Sequence, residues 1–255
     1  MKKAKYKVVF IRHGESTWNK TDHWIGWMDV DLTQRGLRQS KEAGQILKEK
    51  KYSFDYAFTS FLKRSIKTLD ILLGEMDLLW IPTIKDWHLN ERHYGDLIGK
   101  NKNTVLKKFG EKQFMIWRRS YDVPPPKIKK DNPYFNILQK DLRYKNIKMP
   151  ETECLKDVIK RVLPYWEKNI VPKVKAGKKV IVSAHGNSLR SLVKYLDNMS
   201  KEEIVKFNIP MGIPFVYEFD KNMKPVRHYY LGDKKKIARA IREVENQGKR
   251  FKISR

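Results

Sequence analysis

The stretch "FIRHGESTWNK", residues 10–20, ends an apolar run with Arg12, His13 and Gly14, and then supplies Ser16, Thr17 and Asn19. A second stretch, "SAHGNS" (183–188), repeats the scheme: an apolar run stops, and His185, Gly186 and Asn187 follow. Arg64 stands just past a third apolar run, "FDYAFTS" (54–60). Imidazoles, guanidiniums, hydroxyls and backbone amides together suit a phosphoryl group. Guanidinium forks match its oxygens, and a neutral imidazole nitrogen is a competent nucleophile near pH 7. A phosphohistidine would split a difficult transfer into two easier steps, and it would require a general acid for the leaving oxygen. Glu91, in "LNERHYGDLIGKNK", is the candidate. Zinc-spaced Cys/His clusters, a Walker loop and a serine nucleophile elbow are all missing from the sequence.

These residues need elements to bring them together. "YKVVFI" (6–11) reads as a buried strand, and "FDYAFTS" and Val180–Ser183 read as two more. Helices follow each: one opened by Thr33 as N-cap with Leu37, Ala43, Ile46 and Leu47 on one face, one over 63–75 with Ile66, Leu69, Leu72 and Leu73, and one from about Ser188. "PFVYEFD" (214–220) reads as a last strand, antiparallel or at an edge. The alternation predicts a three-layer α/β fold with a mostly parallel central sheet flanked by helices. In such sheets ligands bind beyond the carboxyl ends of the strands, where both His-Gly pairs fall. A glycine after each histidine lets backbone approach a ligand closely. Residues from about 91 to 150 break the pattern and read as a helical insertion over one end of the sheet, within one domain spanning 1–255.

The composition bounds the partners. The 255 residues carry 55 Lys and Arg against 29 Asp and Glu, a net charge of +26. Such an excess suggests an anionic partner. Only 15 of the 55 are arginine, however, and lysine is the residue of solvated surfaces. The lysines are not interleaved with aromatic or glycine-rich recognition motifs, so neither nucleic acid nor a membrane is expected as a partner. No apolar stretch approaches the roughly 20 residues of a membrane helix. The first residues lack a signal-peptide pattern, and the single cysteine, Cys154, fits a reducing compartment, so a cytoplasmic location is expected. The tail from 234 to 255 carries +7, and reads either as a solvated end or as a basic lid over an anionic site.

The motifs "RHGESTWN", "GWMDVDLTQRG", "TSFLKRSIKTL", "LNERHYGDLIGKNK", "WRRSYDVPPP", "SAHGNSLRSLVKYL", "IPMGIPFVYEFD" and "YYLGD" resemble, in order and spacing, those of the cofactor-dependent phosphoglycerate mutases of the histidine phosphatase superfamily. The resemblance covers about residues 6–248. "RHG" marks the superfamily, whereas "LNERHYG" with "WRRSYDVPPP" is more specific to the mutases. The resemblance implies that His13 is phosphorylated, that Arg12, Arg64 and His185 surround the phosphoryl group with Ser16, Asn19, Gly186 and Asn187, and that Glu91 is the acid/base. It implies that Ile25, Gly26, Tyr94, Lys102, Arg118 and Arg119 hold the substrate. It further implies interconversion of 3- and 2-phosphoglycerate in glycolysis and gluconeogenesis, 2,3-bisphosphoglycerate as primer, no metal, and a homodimer or homotetramer.

Two positions depart from the family pattern. Ile25 stands where the family usually has threonine or a similar small residue, so a side-chain hydroxyl contact is expected to be missing. Cys154 stands where the family tends to have serine, as a packing or cap change. Competing readings are a bisphosphoglycerate synthase or phosphatase, a broad histidine phosphatase on the same fold, and a non-catalytic binding protein. Ser16 favours the mutase over the synthase branch, which tends to carry glycine there.

Overall fold

The computed structural model describes residues 3–247. The strands are β1 (Tyr6–Arg12), β2 (Tyr56–Thr59), β3 (Thr83–Lys85), β4 (Val180–Ala184), β5 (Pro214–Phe219) and β6 (Pro225–Tyr230). They form one sheet in the order β3-β2-β4-β1-β5-β6. Strands β3, β2, β4 and β1 run parallel, and β5 pairs antiparallel with both β1 and β6. The expected mostly parallel α/β sheet is therefore present. The expectation of a last strand at 214–220 needs correction: β5 is antiparallel and wholly buried, but β6 follows it and takes the edge.

The helices are α1 (Thr17–Lys20), α2 (Gln34–Glu49), α3 (Lys63–Glu75), α4 (Lys102–Arg119), α5 (Phe135–Gln139), α6 (Leu155–Tyr165), α7 (Val171–Lys175), α8 (Gly186–Leu196), α9 (Lys201–Lys206) and α10 (Lys234–Glu245). Side chains alternate across a strand, so each β strand feeds two cores. Val8 and Phe10 pack with Val182, Val158, Val162 and Leu192 on the α6–α8 side. Val9 and Ile11 pack with Ile181, Ala43, Leu47, Leu69 and Leu72 on the α2–α3 side. These are the three layers. Thr33 caps α2 by accepting from Gly36 N, as its position predicts. Cys154 caps α6: its N–H and Sγ–H both donate to Asp157 Oδ2, at 3.1 and 3.0 Å.

The parallel register sets the site. Arg12 pairs with Ala184 and Ile11 with Ser183, so the residues that follow β1 and β4 emerge side by side. The segment inserted between β3 and α6 packs over this end. Trp24 is held by Leu97, Val105 and Phe114, and Trp27 by Ile98, Ile128, Leu138 and Tyr144. Helix α4 breaks at Gly110, whose φ of 78° is open to glycine without strain. Among the described residues, no helix is long and apolar enough to cross a membrane.

Candidate active site

His13 continues the β1 ladder by donating its N–H to Ala184 O at 3.1 Å. The turn after it is fixed by a close approach of backbone to backbone: a Cβ on Gly14 would lie 2.4 Å from Gly36 O. The ring hydrogen bonds define the tautomer. Nδ1 donates to Gly14 O at 2.7 Å, so Nε2 carries the lone pair, and Arg64 Nε donates to it at 3.3 Å. Burial, reinforced by Arg64 and Arg12, holds the imidazole well below its ordinary pKa. His13 is thus neutral, buried and oriented, with the Nε2 lone pair turned toward Arg64.

Arg64, in the first turn of α3, is fully buried. Besides His13 it donates Nη1 to Met28 O (2.8 Å) and Nη2 to Gly26 O (2.9 Å), so one guanidinium fixes both the nucleophile and the 26–28 turn. Burial lowers its pKa to about 10, which leaves it charged at neutral pH. Arg12 donates Nη1 to Ile209 O at 2.9 Å, and its buried Nε has no partner. The His185 ring lies 5.0 Å from the His13 ring, centroid to centroid. Ser60 Oγ accepts from Leu62 N and shares a hydrogen bond of 2.7 Å with His185 Nε2, and His185 Nδ1 is buried. Burial and the neighbouring Arg64, His13 and Arg12 keep His185 uncharged. Unsatisfied donors beside a nucleophile are costly unless a ligand's acceptors meet them. Phosphoryl oxygens are such acceptors.

Glu91 faces this group from the insertion. Its Oε1 accepts from Arg92 N (2.7 Å), Asn187 Nδ2 (2.8 Å) and Asn187 N (3.2 Å). Its backbone carbonyl is held by Trp27 Nε1 and Arg161 Nη2. Asn187 Nδ2 also donates to Tyr94 Oη at 3.0 Å. The same cavity is also lined by Lys102, Arg118 and Arg119. Lys102, its pKa brought down to about 8 by burial, donates to Asp22 Oδ1 at 2.9 Å. Arg119 donates to Asn208 Oδ1, and Arg118 to Val244 O and Glu245 O of α10.

Arg12, His13, Asn19, Ile25, Arg64, Glu91, Tyr94, Lys102, Arg118, Arg119, Gly186 and Asn187 line one cavity, although they come from distant parts of the chain. Three expected site residues stand behind the wall. Ser16 is the N-cap of α1 and gives its hydroxyl to Asn19 Oδ1 at 2.7 Å, which turns the Asn19 amide. Gly26, with φ of 57°, spends its carbonyl on Arg64. His185 lies beside His13 without reaching the wall. Ile25, which has no hydroxyl to offer, is among the lining residues. Residues not anticipated are His23, Trp24, Arg190, Asn208 and Ile209, with Val244 and Gln247 from the tail. Arg190 left a signal, a charge among Leu189, Leu192 and Val193 on a buried helix face. The tail forms α10 and docks, through Arg118 and an Arg35–Glu243 ion pair. The rest of the "NQGKR" motif, from residue 248, lies outside the described residues. Among the described residues no cluster of three His, Cys, Asp or Glu side chains could hold a metal ion.

A mostly parallel α/β sheet carries a neutral, arginine-flanked histidine at the end of its first strand. The chain belongs to the histidine phosphatase superfamily (branch 1), whose model matches residues 8–135 and 127–230. Similar solved structures include a mycobacterial glucosyl-3-phosphoglycerate phosphatase in complex with VO3, at 17% identity and TM-score 0.67, covering 89% of this chain and 97% of that one. Another is the alpha-ribazole phosphatase from Shigella flexneri, at 19% identity and TM-score 0.62, covering 89% and 96%. At these identities the likeness is one of fold.

Proposed function

We propose that the chain transfers a phosphoryl group through phospho-His13 to and from a small acid bearing two anionic groups, as a 2,3-bisphosphoglycerate-dependent phosphoglycerate mutase. One observation supports the reading: a second cationic set, Lys102, Arg118 and Arg119, lines the same cavity as Arg12, His13 and Arg64. An ester whose phosphate is its only anionic group needs only one such set. A phosphoglycerate presents a phosphate to one and a carboxylate, or the second phosphate of the bisphosphate, to the other.

In the reaction, the P–Nε2 bond of phospho-His13 breaks as the substrate hydroxyl oxygen bonds to phosphorus, and the hydroxyl proton passes to Glu91. The bisphosphate then turns in the cavity. Nε2 attacks its other phosphate, that O–P bond breaks, and Glu91 returns the proton to the leaving oxygen. Arg12 and Arg64 supply charge and donors to the transferring group, with His185 beside His13. The bisphosphate serves as primer, and no metal takes part. The exposed Leu79 and Trp80, next to edge strand β3, support a homo-oligomer.

A second reading is hydrolysis of a related phosphate ester, supported by the phosphatase names of the similar structures. Interconversion of 3- and 2-phosphoglycerate, assayed with and without added bisphosphate, separates the two. Bisphosphate-stimulated interconversion faster than phosphate release supports the mutase. Phosphate release without interconversion refutes it.

A further inference from the structure

We infer that Arg190 is a positioning residue for proton transfer: it locks the Asn187 amide so that Glu91 offers Oε2 rather than Oε1 to the substrate oxygen. The inference rests on Glu91 being the acid/base of the reaction proposed above.

Arg190 follows Asn187 by three residues on α8, so the two side chains share a helix face. Its Nη1 lies 3.0 Å from Asn187 Oδ1. Arginine has donors and no acceptor, so the amide atom turned toward it must be the oxygen. The amide nitrogen is then turned the other way, to Glu91 Oε1 and Tyr94 Oη. With Arg92 N and Asn187 N also donating to Oε1, that oxygen accepts three N–H groups. Oε2 accepts none of these. It lies 3.5 Å from the position a Cβ on the cavity-lining Gly186 would take, and the Arg12 guanidinium carbon lies 3.4 Å from that same position. A flipped Asn187 amide would set Oδ1 against Oε1, acceptor against acceptor, and would release the carboxylate to rotate.

Arg190 is itself anchored. It is 5% exposed, and its Nη2 donates to Ile204 O of α9. It reaches the cavity wall, so the competing role is that of one more cation for the substrate's far anionic group. The two roles separate kinetically. A substrate cation sets KM, whereas a residue that aims the acid/base sets the step in which a proton moves.

The experiment compares phosphorylation of His13 by two donors in the full chain. 3-Phosphoglycerate has an alkoxide-type leaving oxygen that needs a proton, and p-nitrophenyl phosphate has a leaving group that departs without one. Arg190→Met is expected to slow labelling from 3-phosphoglycerate by about 10- to 100-fold. KM should move by less than about threefold, and labelling from p-nitrophenyl phosphate by less than about twofold, within the reach of indirect packing effects. Glu91→Gln should show the same selective loss, the double variant should be no worse than Glu91→Gln alone, and Arg190→Lys should recover part of the rate. Asn187→Asp, which keeps the Arg190 contact and sets an oxygen against Oε1, should reproduce the loss and serves if Arg190→Met does not fold. Equal slowing with both donors, a raised KM alone, an Asn187→Asp variant of normal rate, or losses that multiply in the double variant each overturn the inference. A normal rate for Glu91→Gln overturns the acid/base reading itself, and the inference with it.

Discussion

Replacing Arg64 by lysine keeps the charge and removes the fork. In the folded protein the guanidinium serves three acceptors at once: His13 Nε2, Met28 O and Gly26 O. Arg64 is fully buried, so acceptors that lose it find no water. A lysine ammonium reaches one of the two carbonyls at best. The other is left without a donor, at about 1–3 kcal/mol of folding stability. The catalytic cost is separate. The planar fork that would meet phosphoryl oxygens becomes a point charge, and losing such a preorganised donor costs about 2–4 kcal/mol of transition-state stabilisation, or about 30- to 1,000-fold in rate. Urea unfolding measures the first effect, and single-turnover phosphorylation of His13 measures the second. A variant of wild-type stability would mean that the carbonyls of residues 26 and 28 do not depend on Arg64. A variant of near-normal kcat/KM would mean that Arg64 does not touch the phosphoryl group.

His13→Ala should abolish both transfer and hydrolysis, and the wild type alone should take acid-labile, base-stable label from bisphosphate; 31P NMR should place that label on Nε2, and label on Nδ1 would contradict the tautomer described above. Burial holds His13, His93 and His185 below their ordinary pKa, His93 at about 3. The unfolded chain therefore takes up these protons first, so their contribution is complete above about pH 6.5 and is lost as pH falls toward 3, at up to about 1.4 kcal/mol per unit per histidine. His93→Asn should flatten this slope in urea titrations between pH 6.5 and 5, and an unchanged slope would show that His93 does not contribute. Truncation after Gly232 removes α10 and the carbonyls that hold Arg118, so it should lower transfer to substrate and raise the relative rate of phosphoenzyme hydrolysis at low salt; a constant ratio of the two rates would reduce the tail to a solvated end.

Local signals made much of the fold legible. Helix α3 begins and ends where its apolar spacing places it, and Thr33 caps α2, because both are written within a few residues. Strand β6 escaped notice because "PVRHYY" is half exposed and carries no apolar run. Strand β3 has three residues, fewer than periodicity can mark. The same division holds at the site. The ends of β1 and β4 announce His13 and His185 through a change from apolar to polar residues at one point in the chain. Asn208 and Ile209 announce nothing, since their place depends on Arg119 and Arg12, which reach them from far away in sequence. Ser16 shows the converse. It sits in the motif, yet its hydroxyl is spent orienting Asn19.

The charge of the chain is best understood by where the cations lie. The excess of +26 is mostly lysine, and most lysine side chains in ion pairs are themselves exposed, as Lys48, Lys127 and Lys201 are. Pairs of that kind contribute little and vanish in salt. The arginines at the cavity differ in kind. Arg12, Arg64, Arg118 and Arg190 are buried, and desolvation is the largest influence on each. Their donors go chiefly to backbone carbonyls, which satisfy hydrogen bonds without supplying negative charge. Among the described residues that line the cavity, Glu91 is the one carboxylate set against them. A protein that keeps several buried cations so sparsely neutralised spends stability to hold a positive potential, and that potential is relieved only when an anion enters. On the function proposed above, a ligand with two anionic groups offsets more of that potential than a ligand with one.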